Sequence, residues 1–194
     1  VDIEALISAR LAQRIARIQN RKFTVGTGTS EPRGVVTAAA AGKVGTTGQT
    51  LTVIYDDLVD LQHAVDPAYR ALGAQFMLND NSLKVVRKIK DTQGRPIFVP
   101  GYEEGNPKGA PDELLGAKIV LNQHMADMAA NAKSILFGYF KAYKVRDVMQ
   151  YTLFRFTDSA YTKLGQVGFL AWARAGGNYT DVGKSLAYYQ NSAT

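Results

Sequence analysis

Residues 154–177, FRFTDSAYTKLGQVGFLAWARAGG, decide the fold class. Val167, Phe169, Ala171 and Ala173 alternate with Leu170 and Trp172, the period of two that sends successive side chains to opposite faces of a strand. The alternation and the aromatic content predict a strand over residues 166–174. Residues 139–156, YFKAYKVRDVMQYTLFRF, carry the same bias, so a second long strand is expected there. Asp158-Ser159 separates the two as a hairpin turn or short insertion, and Gly176-Gly177-Asn178 is expected to end the second strand. Tyr151, Phe154, Phe156, Phe169 and Trp172 fall in these strands and are expected in the core. Residues 186–189 offer one further strand.

Upstream the period changes. In residues 2–20, Ile3, Leu6, Ile7, Leu11, Ile15 and Ile18 recur at three- and four-residue steps, which predicts a helix with one apolar stripe. Asp2 and Glu4 open it. Arg10, Arg14, Arg17 and Arg21 gather toward its end, complementing the helix dipole and forming a basic ridge on one face. Residues 24–50, rich in Gly and Thr, read as loops and turns around a short apolar segment. A helix over residues 55–64 has Leu58, Leu61 and Val65 on one side. Asp66-Pro67 supplies an N-cap and a first-position proline for a short third helix. A strand at 74–78 follows, then a helix capped by Asn79-Asp80-Asn81 that is expected to reach Lys90 with Leu83, Val86 and Ile89 inward. Short strands are expected at 97–99, 117–121 and 134–137. Between the first two of these, residues 100–113 form a long loop exposing Tyr102, Glu103, Glu104, Asn106 and Lys108. The sum is an α+β fold, helices and short strands first, long paired strands near the end.

The 194 residues suffice for one folded unit or two small lobes with a real core. No cysteine is present, which removes disulfides, thiolate nucleophiles and cysteine zinc sites. The net charge of +6 favours a polyanion nearby. No apolar run approaches the roughly 18 residues that span a bilayer, and the charged opening residues do not read as a signal peptide.

Catalytic and cofactor motifs are not assembled. Gly26-Thr27-Gly28 stands outside any strand–turn–helix unit, and Gly42-Lys43 is followed by Val44 where a P-loop needs Ser or Thr. His63 and His124 occupy no metal-ligand spacing, and no serine lies in a nucleophile elbow. Asp56, Asp57 and Asp60 could gather as a weak cation site, but such carboxylates more often cap a helix or pair with basic neighbours. No catalytic residue, metal site or cofactor is assigned.

The serial order of segments resembles the tailed-phage major capsid proteins of the Hong Kong 97 fold family. The segments that carry the resemblance are NRKFTVGTGTSEPRGVV (20–36), YDDLVDLQHAVDPAYR (55–70), AQFMLNDNSLKVVRKIKDTQGRPIFVP (74–100), ELLGAKIVLNQHM (113–125), AKSILFGYFKAYKVRDV (132–148) and the hairpin of residues 154–177. The resemblance implies a spine helix, a peripheral lobe with long antiparallel strands (residues 1–34 and 139–180) and an axial lobe of short strands and helices (35–138 and 181–194). It implies a structural subunit of an icosahedral phage or prophage shell, assembling into pentamers and hexamers around double-stranded DNA. Scaffold, portal and maturation protease would be partners, a membrane would not, and assembly would occur in the host bacterial cytoplasm. The family's N-terminal arm and extended loop precede the spine helix, so neither is expected within these residues. Some members crosslink through a Lys–Asn bond assisted by a Glu. Residues 165–174 hold neither Asn nor Glu, so no such crosslink is expected at that strand. The arginine ridge is expected at the inner face or a subunit interface. Two other readings are an encapsulin-like nanocompartment shell and a basic nucleic-acid-binding protein, the latter needing aromatics interleaved with Lys and Arg on one surface.

Overall fold

The computed structural model describes residues 3–91, 93–94, 113–181 and 184–194. The strand expected at 97–99 and the loop residues Tyr102, Glu103, Glu104, Asn106 and Lys108 lie outside these, as does the Tyr151 side chain.

The first helix, α1 (Ile3–Val25), runs to Val25 instead of ending near residue 20. Buried Thr24 holds the extension by donating its hydroxyl to the Asn20 carbonyl (2.7 Å), and the Gly26 amide closes the last turn on Lys22 (2.9 Å). The Gly- and Thr-rich stretch then yields α2 (Val35–Ala38) and the strand β1 (Ala40–Val44). Next come α3 (Tyr55–His63) and α4 (Pro67–Ala71), where the Asp66 carboxylate caps the Ala68 amide at 2.8 Å ahead of the first turn. After β2 (Gln75–Leu78), Asn79 caps the Ser82 amide at 2.7 Å and starts α5 (Asp80–Val86). This helix stops short of Lys90. Beyond Val86 the backbone tightens to three-residue turns, Lys88 N–H to Val85 and Ile89 N–H to Val86. The chain continues through β3 (Glu113–Leu114), β4 (Ala117–Leu121), β5 (Lys133–Gly138), a 3-10 turn at Phe140–Ala142, β6 (Tyr143–Phe156), α6 (Ser159–Thr162), β7 (Gly168–Tyr179) and β8 (Leu186–Gln190).

Two sheets result. A six-stranded mixed sheet has the order β1-β8-β5-β2-β4-β3, and β6 pairs only with β7 in an antiparallel ribbon. The buried run of β5 explains how the larger sheet is covered on both faces. Ile135 and Phe137 point into a cluster with Leu58, Leu61 and Val65 from the α3 region, Phe76 and Leu78 from β2, and Leu83 and Val86 from α5. Leu136 points the other way, to Val35, Val36, Met125 and Leu186. Phe76 and Phe137 meet with ring centroids 4.4 Å apart. Burying each such side chain contributes about 1.5–3 kcal/mol.

The ribbon departs from expectation twice. First, β7 does not end at Gly176 but continues through Gly177 and Asn178, pairing Tyr179 with Tyr143. Gly177 permits this: a Cβ there would sit 2.5 Å from the Tyr143 hydroxyl and 2.9 Å from the Phe23 ring. Second, the ribbon aromatics are not core. Phe154, Phe156 and Trp172 are 47%, 37% and 55% exposed, while Phe169 is half-buried. A two-stranded ribbon has two faces, and α1 covers only one.

Candidate interaction surface

The surface outside the six-stranded core is built by α1 and the ribbon. Ala171, Ala173 and Ala175 lie on the β7 face turned to the helix, and with Ile15, Ile18, Phe23 and Pro32 they line a groove of about 310 Å³. Short alanine side chains let a helix approach a strand closely but leave space beneath it. Glu4 and Arg155 bridge helix and ribbon at 2.8 Å. The apolar stripe of α1 is therefore only partly covered: Ile7, Leu11 and Ile15 are half-buried, whereas Ile3, Leu6 and Ile18 remain exposed.

Arg10, Arg14, Arg17 and Arg21 are all exposed and line one side of α1, as their spacing predicts. Among the described residues none of the four forms an ion pair. At 1.5 Å of rise per residue the ridge runs for roughly 16 Å. The reverse face of the ribbon carries Leu170 opposite Phe154, Trp172 opposite Thr152 and Gly168 opposite Phe156. The hairpin end adds Tyr161, Leu164 and Val167, all exposed.

Polar side chains join this layer to the core, and sequence reasoning missed them. Asn122, beyond the end of β4, donates to the Thr24 hydroxyl at 2.8 Å and accepts from the His124 amide at 3.0 Å; Asn20 reaches its carbonyl oxygen at 3.5 Å. No local pattern announces a contact between residues so distant in the chain. In the turn after α1, Glu31 accepts from Lys22 and from the Thr27 amide and hydroxyl at 2.7 and 3.0 Å. The Lys22 bond first, then the Thr27 bonds, hold its carboxyl down from 4.5 to about 2. The candidate cation cluster is divided. Asp57 is buried and accepts from Tyr189 at 3.4 Å, Asp60 pairs with Lys43 at 2.5 Å, and Lys43 also lies 3.6 Å from Asp57. The hydrogen bond to Asp60 raises the Lys43 pKa, and burial raises that of Tyr189. These groups are engaged in structure. No helix among the described residues is long and apolar enough to cross a membrane.

The family model described as the phage capsid family matches residues 1–190. A chain of the capsid of the native GTA particle is 28% identical, with a TM-score of 0.83, over 99% of this chain and 66% of that one. The empty GTA particle gives 29%, 0.83, 99% and 67%. A chain from Gordonia phage Cozz, 16% identical over 99% of this chain and 64% of its own, shares the fold at a TM-score of 0.67. The chain thus spans about two thirds of the length of the solved chains it matches. No curated protein matches it.

Proposed function

Because the chain belongs to the phage capsid family, we propose that it is a structural subunit of an icosahedral phage or prophage shell, a non-enzymatic protein that self-associates into pentamers and hexamers. The observation that carries the reading is the family match over nearly the whole chain, joined to 28% identity and a TM-score of 0.83 with a GTA capsid chain. The nanocompartment and nucleic-acid-binding readings are not favoured, since the matched structures come from phage and GTA particles.

The finer assignments follow from the surface. The helix–ribbon layer corresponds to a peripheral lobe (residues 1–34 and 139–180) and the six-stranded sheet to an axial lobe (35–138 and 181–194), a division supported by the two separate sheets. The arginine ridge faces the shell interior and meets packaged double-stranded DNA through phosphates, without base readout. Location in the virion, assembly in the host cytoplasm, and dealings with scaffold, portal and maturation protease belong to the same proposal.

Light scattering and negative-stain microscopy of the purified chain test it. Hollow shells, or rings of five and six subunits, are the expected result. A chain that remains monomeric at every concentration, and enters no particle when produced alongside the other proteins of a phage, would overturn it.

A further inference from the structure

The strand β8 lies inside its sheet. β8 runs parallel to β1, with Ala40 opposite Ala187 and Val44 opposite Gln190, and antiparallel to β5, with Phe137 opposite Ala187 and Ile135 opposite Tyr189. Among the described residues β1 has no other strand partner. Leu186, Ala187 and Tyr189 are at most 2% exposed. The residues after the strand bind as firmly. Asn191, fully buried, accepts from the Ser134 hydroxyl at 2.6 Å and donates to the carbonyls of Gln49 and Thr52 at 3.3 Å each. The Asn191 amide bonds to Ala132, the Ser192 amide to Gln49, and the Gly45 and Gly48 amides to Gln190 and Thr194. Residues 40–53 are therefore secured to the sheet through a segment made more than a hundred residues later.

We infer that β8 is a completion switch: the six-stranded core, and with it the surface offered to neighbouring copies, forms only once residues 184–194 have been made. Without β8, β1 and β5 stand two strand spacings apart, and closing the gap would move β1 by about 5 Å. Such a shift would unseat Gly42, whose Cα lies so close to Leu61, Ala64 and Ala187 that a Cβ would stand 2.8 to 3.2 Å from them. Leaving the gap open exposes backbone groups on both flanks and strands the Ser134 hydroxyl in the interior. Neither alternative reproduces the native core. Gly138 makes room for the start of β8: at φ +146° it lets the Ser185 carbonyl approach to where a Cβ would be 2.1 Å away. The switch itself is a property of the chain. Only its consequence, exclusion from a shell of chains lacking residues 184–194, rests on the reading above.

The test is a force profile on translating ribosomes, with the full chain followed by linkers of increasing length and an arrest peptide. Release of the arrest should rise sharply at the linker length that lets Ser192 clear the ribosome, and Ala187→Asp should abolish that rise. Trp172→Ser, on the ribbon, should leave it in place. A rise complete while residues 184–194 are still inside the ribosome, or one that survives Ala187→Asp, would sink the inference. The profile reads folding alone, so its failure is distinct from failure to form particles.

Discussion

Glu31 and Asn122 are single side chains that each bond to a residue of α1, Lys22 and Thr24 respectively, and each gives a measurable signature. The folded carboxyl of Glu31 titrates at about 2, below its ordinary 4.5. The unfolded chain therefore binds the proton first as pH falls. The stabilisation is full above about 4.5 and fades toward 2. Melting curves across this window should show an acid-side slope that Glu31→Gln reduces; an unchanged slope would mean the turn does not depend on the carboxylate. Asn122 presents a different case, a buried amide satisfied by Thr24 and by the His124 amide. Asn122→Leu should cost about 1–3 kcal/mol in urea unfolding, because the groups it leaves behind are shielded from water. Hydrogen exchange should quicken in the last turn of α1. If exchange there is unaltered, Asn122 does not anchor the helix.

At the scale of elements, α1 and the ribbon form a layer with unequal faces. The helix covers the alanine face of β7, while Phe154, Leu170 and Trp172 stay on the uncovered one. An exposed aromatic contributes little to the stability of the isolated chain. Trp172→Ser should change it by less than about 1 kcal/mol in chemical denaturation. The same substitution should weaken association, seen as a lower mass-average in sedimentation, if this face meets another copy. A loss above about 3 kcal/mol would instead show that Trp172 is packed within the subunit. Unchanged stability together with unchanged association would remove the face from the contact surface.

For the whole molecule, the relevant scale is charge. The excess of +6 includes four exposed arginines aligned on one helix. Each phosphate contact adds close to one unit to the salt dependence of DNA binding. Replacing Arg10, Arg14 and Arg17 by Glu should therefore weaken DNA binding at low salt by more than tenfold and flatten its dependence on ionic strength. Particles formed by the variant should hold less DNA. Equal DNA content and an equal salt slope would remove the ridge from the inner face.

Several features were determined by the sequence because their causes are local. The apolar stripe of α1, the Asp66-Pro67 and Asn79 helix starts, and the alternation of residues 166–174 each act within a few residues. The same is true of the arginine ridge, which follows from helical spacing alone. The order of segments carried the family resemblance for a related reason: it needs no knowledge of contacts. What only the tertiary structure decided are the partners. A period of two says that the faces of β7 differ, but not which one a helix covers, so Phe154, Phe156 and Trp172 were expected in the core and stand exposed. Gly177 looks like a strand terminator until Phe23 and Tyr143 are seen to press against it. The Asn122–Thr24 bond and the seat of β8 between β1 and β5 join residues roughly fifty to a hundred and fifty positions apart. Such pairings are selected by the packing of the finished core, which no short window of sequence contains.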